Sequence, residues 1–140
     1  MIFALCVTFL AMVLCIVAFI KGGAPEKWGA VTFVLAWALT PLVDMQHGIR
    51  FGVLIVDSLA LVSFILISVK WRQLWSLLAA TFQLLDVVCH LAMAISPHIG
   101  VYGYLTGLII WGGYGLMATM ALAIWECSLD RKYAVDVPKR

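Results

Sequence analysis

The chain has 140 residues, of which 65% are hydrophobic and 11% charged, with a formal net charge of +2 and a mean hydropathy of +1.10. That length leaves room for one compact domain, and that composition excludes a soluble one, because so much apolar surface cannot be buried in a chain this short. The solvent for most of the sequence is therefore expected to be lipid.

The first apolar run covers residues 2–20. It has no basic leading region, its apolar stretch is long, and no small-x-small site follows it, so it is read as a retained span rather than a signal peptide. The second run, 28–43, has only 16 residues with Pro41 near its end, short of the roughly 20 that a spanning helix needs. The third, fourth and fifth runs are 51–69, 74–95 and 101–125, all long enough. These runs are continuously apolar rather than alternating, and backbone groups in lipid must be satisfied within their own segment. Helices are expected, not a barrel. The connections are short, so consecutive helices should be antiparallel neighbours in an up-and-down bundle of five.

Charge gives the orientation. With five spans, Lys21, Lys27, Lys70, Arg72, Arg131, Lys132, Lys139 and Arg140 fall on one side and only Arg50 on the other. Cytoplasmic loops carry such an excess of Lys and Arg. The expected topology has the N-terminus outside, a transmembrane domain over 1–126 and a short cytoplasmic tail over 127–140. Trp28, Trp71, Trp75 and Trp125 fall at the cytoplasmic helix ends, where indoles anchor a bundle, and Tyr102 and Tyr104 form a thinner outer belt. Cys6, Cys15 and Cys89 lie in the lipid zone and no CxxC pair exists, so no disulfide framework is expected. Topology accounts for the basic residues, which leaves no patch for nucleic acid.

Inside the fourth run the sequence reads QLLDVVCH. Gln83, Asp86 and His90 follow i, i+3, i+7 spacing and share one helical face within about 60°. An ionisable group at this depth costs at least ~2.5–3.5 kcal/mol on insertion scales, so it should face the bundle interior and have a partner. Helix rise places His90 ~8 Å and Asp86 ~14 Å below the outer surface, and Asp57, on the antiparallel third helix, ~9 Å below it. The expected pairing is Asp57 with His90, with Asp86 one turn deeper. Asp44, His47, Arg50 and His98 form an outer rim above them.

Several roles suit such a cluster. It could be a structural polar pair between helices. It could belong to a proton or cation relay, although the expected cytoplasmic half of the spans offers only hydroxyl groups such as Ser63, Ser68 and Thr119 to continue one. It could bind a metal through His90, Asp57 and Asp86, but no HxxxH or HExxH motif supports this and no metal set is assigned. Haem lacks a second axial histidine inside the membrane. A pocket for a lipid or quinone headgroup is a further reading, and no cofactor is specified. No catalytic residue is assigned, because the adjacent Cys89 and His90 point about 100° apart on a helix.

The fifth helix carries GxxxG at Gly103 and Gly107, followed by Gly112, Gly113, Gly115 and Thr119. Small residues at such spacing let helix backbones approach closely, within the bundle or against a membrane-protein partner or second copy. The short second span ending in PLVDMQHGIR, and the hairpin WRQLW–TFQLLDVVCHLA, resemble small alphaproteobacterial-type inner-membrane proteins over helices two to four. That resemblance implies a bacterial inner membrane and no particular chemistry. The leading expectation is an accessory or assembly subunit of a larger membrane complex, since glycine-rich faces are present without a catalytic set. The alternative is an outward-facing ion-, proton- or small-ligand-binding bundle centred on Asp57, Asp86 and His90.

Overall fold

The computed structural model describes residues 2–44, 51–96, 98 and 100–135, and among them the chain is all helical, with no strand. Four helices, α1 (Ile2–Lys21), α2 (Ala24–Asp44), α3 (Phe51–Trp71) and α4 (Leu74–Ile95), precede a fifth rod. That rod is composite: α5 (Gly100–Leu108) runs into a π-helical stretch (Ile109–Gly115), and α6 (Leu116–Val135) continues from it. The expected domain boundary at 126 falls inside α6.

Three helical segments are long and apolar enough to cross a membrane: Phe51–Trp71, Leu74–Ile95 and Gly100–Tyr133, with Val7–Lys21 a shorter apolar helix. The expectation of five such spans is thus met by three among the described residues. The second helix is longer than the sequence suggested, because it starts at Ala24 and takes Pro25, Glu26 and Lys27 into its first turn. Pro25 suits that position because the first helical N–H groups have no intrahelical partner. Including these polar residues lengthens the helix and dilutes its apolar character.

Each helix packs on its sequence neighbour, and α6 closes the bundle against α1, α2 and α4. Small residues make this possible. Ala11, Cys15 and Ala18 on α1 and Ala30 on α2 are all buried, as are Ala79 on α4 and Ala123 on α6. Removing side chains from the contact face lets helices approach and gain dispersion contacts, which is how helices associate in lipid. Trp75 is wholly buried in this layer. The sequence expectation of an interfacial anchor is corrected here to a core residue; Trp28, early in α2, and Trp125, midway along α6, are exposed. The outer faces of α3 and α4 carry Leu59, Val62, Leu66, Leu77, Leu84 and Val88, all exposed, as contact with acyl chains requires.

The α3–α4 hairpin turns within two residues, Arg72 and Gln73. Arg72 takes a positive φ of 53°, and its N–H bonds to the carbonyl of Ser68 at 2.8 Å, a left-handed helix ending. The N-terminus of α4 is capped from across the bundle: the Glu126 carboxylate accepts from the N–H groups of Leu74 and Trp75, both at 3.3 Å. These two features fix α4 against α3 and α6, and so set the height of every polar residue along it.

Candidate functional site

The buried face of α4 includes Ala79, Gln83, Asp86 and His90, and that of α3 includes Val53, Asp57 and Ala60. Because the hairpin is so tight, Asp57 and His90 stand at the same height, and Asp57 Oδ2 lies 2.9 Å from His90 Nε2. On the other side of the ring, the Tyr104 hydroxyl lies 2.8 Å from His90 Nδ1. A neutral imidazole with its proton on Nε2 donates to Asp57 and accepts from Tyr104, so both ring nitrogens are engaged. The rings of His90 and Tyr104 also meet edge to face, 5.4 Å between centroids.

Asp86 completes the group. One ligand atom each from Asp57, Asp86 and His90 lie within 4.8 Å of one another, and all three residues are buried. Such a set of one imidazole and two carboxylates could hold a metal ion. Asp86 Oδ1 has no hydrogen-bond partner, and neither does Gln83 Oε1 one turn below it. Leaving a buried acceptor unsatisfied costs about 1–3 kcal/mol, more for a charged group. Among the described residues no lysine or arginine forms an ion pair with either aspartate.

The π-helical stretch faces this cluster. A Cβ on Gly112 would sit 2.6 Å from Asp86 Oδ2, so the carboxylate lies against bare backbone there. A Cβ on Gly107 would meet Cys89 Sγ at 2.8 Å, and one on Gly115 would meet Phe82 at 2.9 Å. The rings of Trp111 and Phe82 stack 6.0 Å apart. Gly107, Gly112 and Gly115 therefore all approach α4. The five-residue step from 107 to 112 matches the wider π turn, not an α turn, and π-helical turns occur frequently at functional sites.

Between α2, α3, α4 and the π-helical stretch lies a cavity of about 300 Å³. Asp57, Gln83 and Asp86 give it a polar floor, and Phe33, Trp37 and Leu116 belong to its apolar walls. Pro41 also lines it; having no N–H, it leaves the carbonyl of Trp37 without its usual intrahelical donor.

No known protein family, curated protein or solved structure matches this chain. The site is therefore read from its own geometry.

Of the four rim residues, His98 is exposed and Asp44 is the last residue of α2, while His47 and Arg50 lie outside the described residues. Of the small residues on the fifth rod, Thr119 is buried and donates to the Leu116 carbonyl at 2.7 Å. Gly103 is exposed, and a Cβ on Gly113 would meet nothing within 4 Å. Of the GxxxG pair, Gly107 thus meets α4 and Gly103 stands exposed one turn before it. Two residues escaped the sequence reading. Tyr104, expected in an outer belt, is buried at 8% exposure while Tyr102 is 90% exposed. Glu26, placed in a loop, is buried at 1% exposure; its Oε2 accepts from the Gly23 N–H at 2.7 Å, whereas Oε1 has no partner. A carboxylate three residues after a glycine at a helix start was a legible signal of such a cap.

Proposed function

We propose that this chain is a small integral membrane protein whose bundle binds a cation or a hydrogen-bond-donating small ligand within the bilayer, at a site built on Asp57, Asp86 and His90. One observation carries this reading. Asp86 is 5% exposed, its Oδ1 has no partner, and it lies at the floor of a cavity wide enough for a small molecule. A merely structural polar group would be expected to find its hydrogen bonds within the bundle. Asp57 and His90 do so; Asp86 Oδ1 does not.

The topology that fits the charges has five helices crossing, the N-terminus external and the C-terminal end cytoplasmic; in it Asp57 and His90 belong to the external halves of α3 and α4. Lys21 ends α1, Lys70 ends α3 and Lys132 lies in the last turn of α6, and Arg131 bonds to the Lys21 carbonyl, so these basic groups gather at one end as that topology requires.

An accessory role in a larger complex draws on the glycines of the fifth rod. Gly107, Gly112 and Gly115 approach α4 within the bundle and Gly113 lines the cavity, leaving the exposed Gly103 as the small residue available to a partner helix. The polar site is the better supported reading.

A ligand that binds only the folded state raises its stability, by about 2.7 kcal/mol at a hundredfold excess over Kd. The full chain in neutral lipid nanodiscs should therefore unfold at a higher temperature with one class among sodium, zinc and organic ammonium salts. Asp86→Asn should remain folded and lose that response. If no additive stabilises the parent more than Asp86→Asn, the binding reading is wrong.

A further inference from the structure

The cavity constrains its occupant more tightly than the three-residue cluster does. Its floor holds two buried acceptors without partners, Asp86 Oδ1 and Gln83 Oε1, in residues 5% and 1% exposed. Beside them stands a second carboxylate, Asp57, and no lysine or arginine lines the cavity. Acceptors without donors, with negative charge nearby, call for a ligand that brings N–H groups and positive charge. An anion would meet repulsion there, and a ligand offering only carbonyl oxygens would leave both acceptors unpaired.

A bare metal ion fits the floor but not the rest. Both ring nitrogens of His90 are already engaged, by Asp57 and by Tyr104. A space of about 300 Å³ is at the lower end of small-molecule sites, far larger than one ion needs. The walls are apolar and partly aromatic. On α2 the rings of Phe33 and Trp37 stack at 5.4 Å, and across from them stand Leu108, Ile109 and Leu116. Aromatic faces attract a cation, and aliphatic walls hold an apolar body.

The cavity also has a side. α2 makes its main contact with the last rod through α6, yet the cavity is lined by α2 on one side and by α5 and the π-helical stretch on the other. The cavity therefore separates α2 from that part of the last rod.

We propose, resting on the binding reading above, that this cavity takes an organic ammonium with an apolar body, its N–H groups donating to Asp86 and Gln83 and its body lying between the Phe33–Trp37 pair and the opposing aliphatic wall. The test is calorimetric titration of the full chain in phosphatidylcholine nanodiscs, near neutral pH, with 2-phenylethylammonium chloride. The neutral analogue 2-phenylethanol and zinc chloride alone are titrated in parallel, and empty nanodiscs correct for partitioning. Saturable binding of the ammonium at one per chain is expected, with the alcohol at least about tenfold weaker. Asp86→Asn should weaken the ammonium at least about tenfold, and Trp37→Leu about threefold or more. Thermal unfolding checks that each variant is folded. Equal binding of alcohol and ammonium overturns the proposal, as does unchanged binding in folded Asp86→Asn. If that variant does not fold, Gln83→Leu and Trp37→Leu decide: unchanged ammonium binding in both overturns the proposal. Zinc binding that is sensitive to Asp86, without saturable ammonium binding, overturns the ammonium and leaves the binding bundle standing. Binding of neither overturns the ammonium proposal, and the binding reading then falls as well if sodium also fails to stabilise the parent over Asp86→Asn.

Discussion

The two ends of this bundle are built on opposite principles. Toward the start of α4, Trp75, Ala79, Phe64 and Met120 leave almost no side-chain surface exposed, and Ala18 and Ala123 let the neighbouring helices close in. Toward the other end of the same helix, Asp86 and His90 face Asp57 and Tyr104, the last rod opens into a π-helical stretch, and a cavity remains. The first end is close-packed: the Ser76 hydroxyl donates to the Gln73 carbonyl at 2.8 Å, and the buried acceptor left without a partner there, Glu26 Oε1, borders no part of the cavity. The second keeps a carboxylate oxygen and an amide oxygen without partners. If the open end binds as proposed, stability and binding should be separable along one helix: the close-packed end would anchor α4, and the open end would keep the unpartnered groups that a ligand can meet.

The largest effect should come from breaking the close-packed end. Trp75 is fully buried, and its ring is near enough to Gly29 that a Cβ there would meet it at 2.6 Å. Trp75→Ala leaves a void that rigid helices cannot collapse into, at an expected cost of about 3–5 kcal/mol. Unfolding of the full chain in mixed detergent micelles measures it. If the two ends are separable, the surviving folded fraction keeps the ligand response of the parent. A loss below about 1 kcal/mol would mean that the close-packed end is not the anchor.

A smaller effect should sharpen the contrast within two adjacent residues. A Cβ at Gly112 would meet the Asp86 carboxylate at 2.6–2.8 Å, whereas one at Gly113 would meet nothing within 4 Å. Gly112→Ala must push Asp86 aside, an overpacking cost of about 1–3 kcal/mol, and should weaken any ligand held by that carboxylate. Gly113→Ala should be neutral or gain up to about 1 kcal/mol in helix propensity. Identical behaviour of the two variants, in stability and in binding, would show that Gly112 does not cradle Asp86.

How far the sequence could reveal this arrangement depends on which residues are asked about. Gln83, Asp86 and His90 were legible because their spacing on an uninterrupted helix fixes one face, and all three are buried. Asp57 was legible because the short connection over 70–73 makes the third and fourth helices antiparallel neighbours, and helix rise then puts Asp57 and His90 at nearly the same depth. Tyr104 was not. Its direction depends on the rotation of the last rod, and the π-helical stretch at Ile109–Gly115 shifts the phase between α5 and α6 in a way that a 3.6-residue period does not encode. The same phase shift brings Gly112 round to the side of Gly107, five residues earlier. Trp75 was misplaced for another reason. A tryptophan at a helix end suits an interface equally well, and only the cap from Glu126, 51 residues later, reveals that α6 covers it. Glu26 was missed because the apolar run began after it, whereas the helix begins before.

The smallest predicted effect asks whether the open end is a coupled site at all. Asp57 and His90 meet at 2.9 Å with side chains 11% and 4% exposed. Each alone would be an unpaired polar group in a low dielectric, so each single replacement costs more than the bond itself contributes. A double-mutant cycle on Asp57→Ala and His90→Ala removes that excess. Interhelical hydrogen bonds in membranes average about 0.6 kcal/mol with a ceiling near 1.7, and a buried carboxylate–imidazole pair should lie toward that ceiling, at about 1–1.7 kcal/mol. The matching cycle on His90→Ala and Trp75→Ala should be additive, because fifteen residues of helix rise separate them by about 22 Å. The comparison between the ends survives only if the first cycle couples and the second does not. Additivity of Asp57 and His90 within about 0.5 kcal/mol would mean that the two do not act as a pair, and Asp86 would lose the neighbours that make it a site. Coupling between His90 and Trp75 of similar size would mean that the ends unfold and bind as one unit, so that α4 transmits what happens at Asp86 to the packed end rather than insulating it.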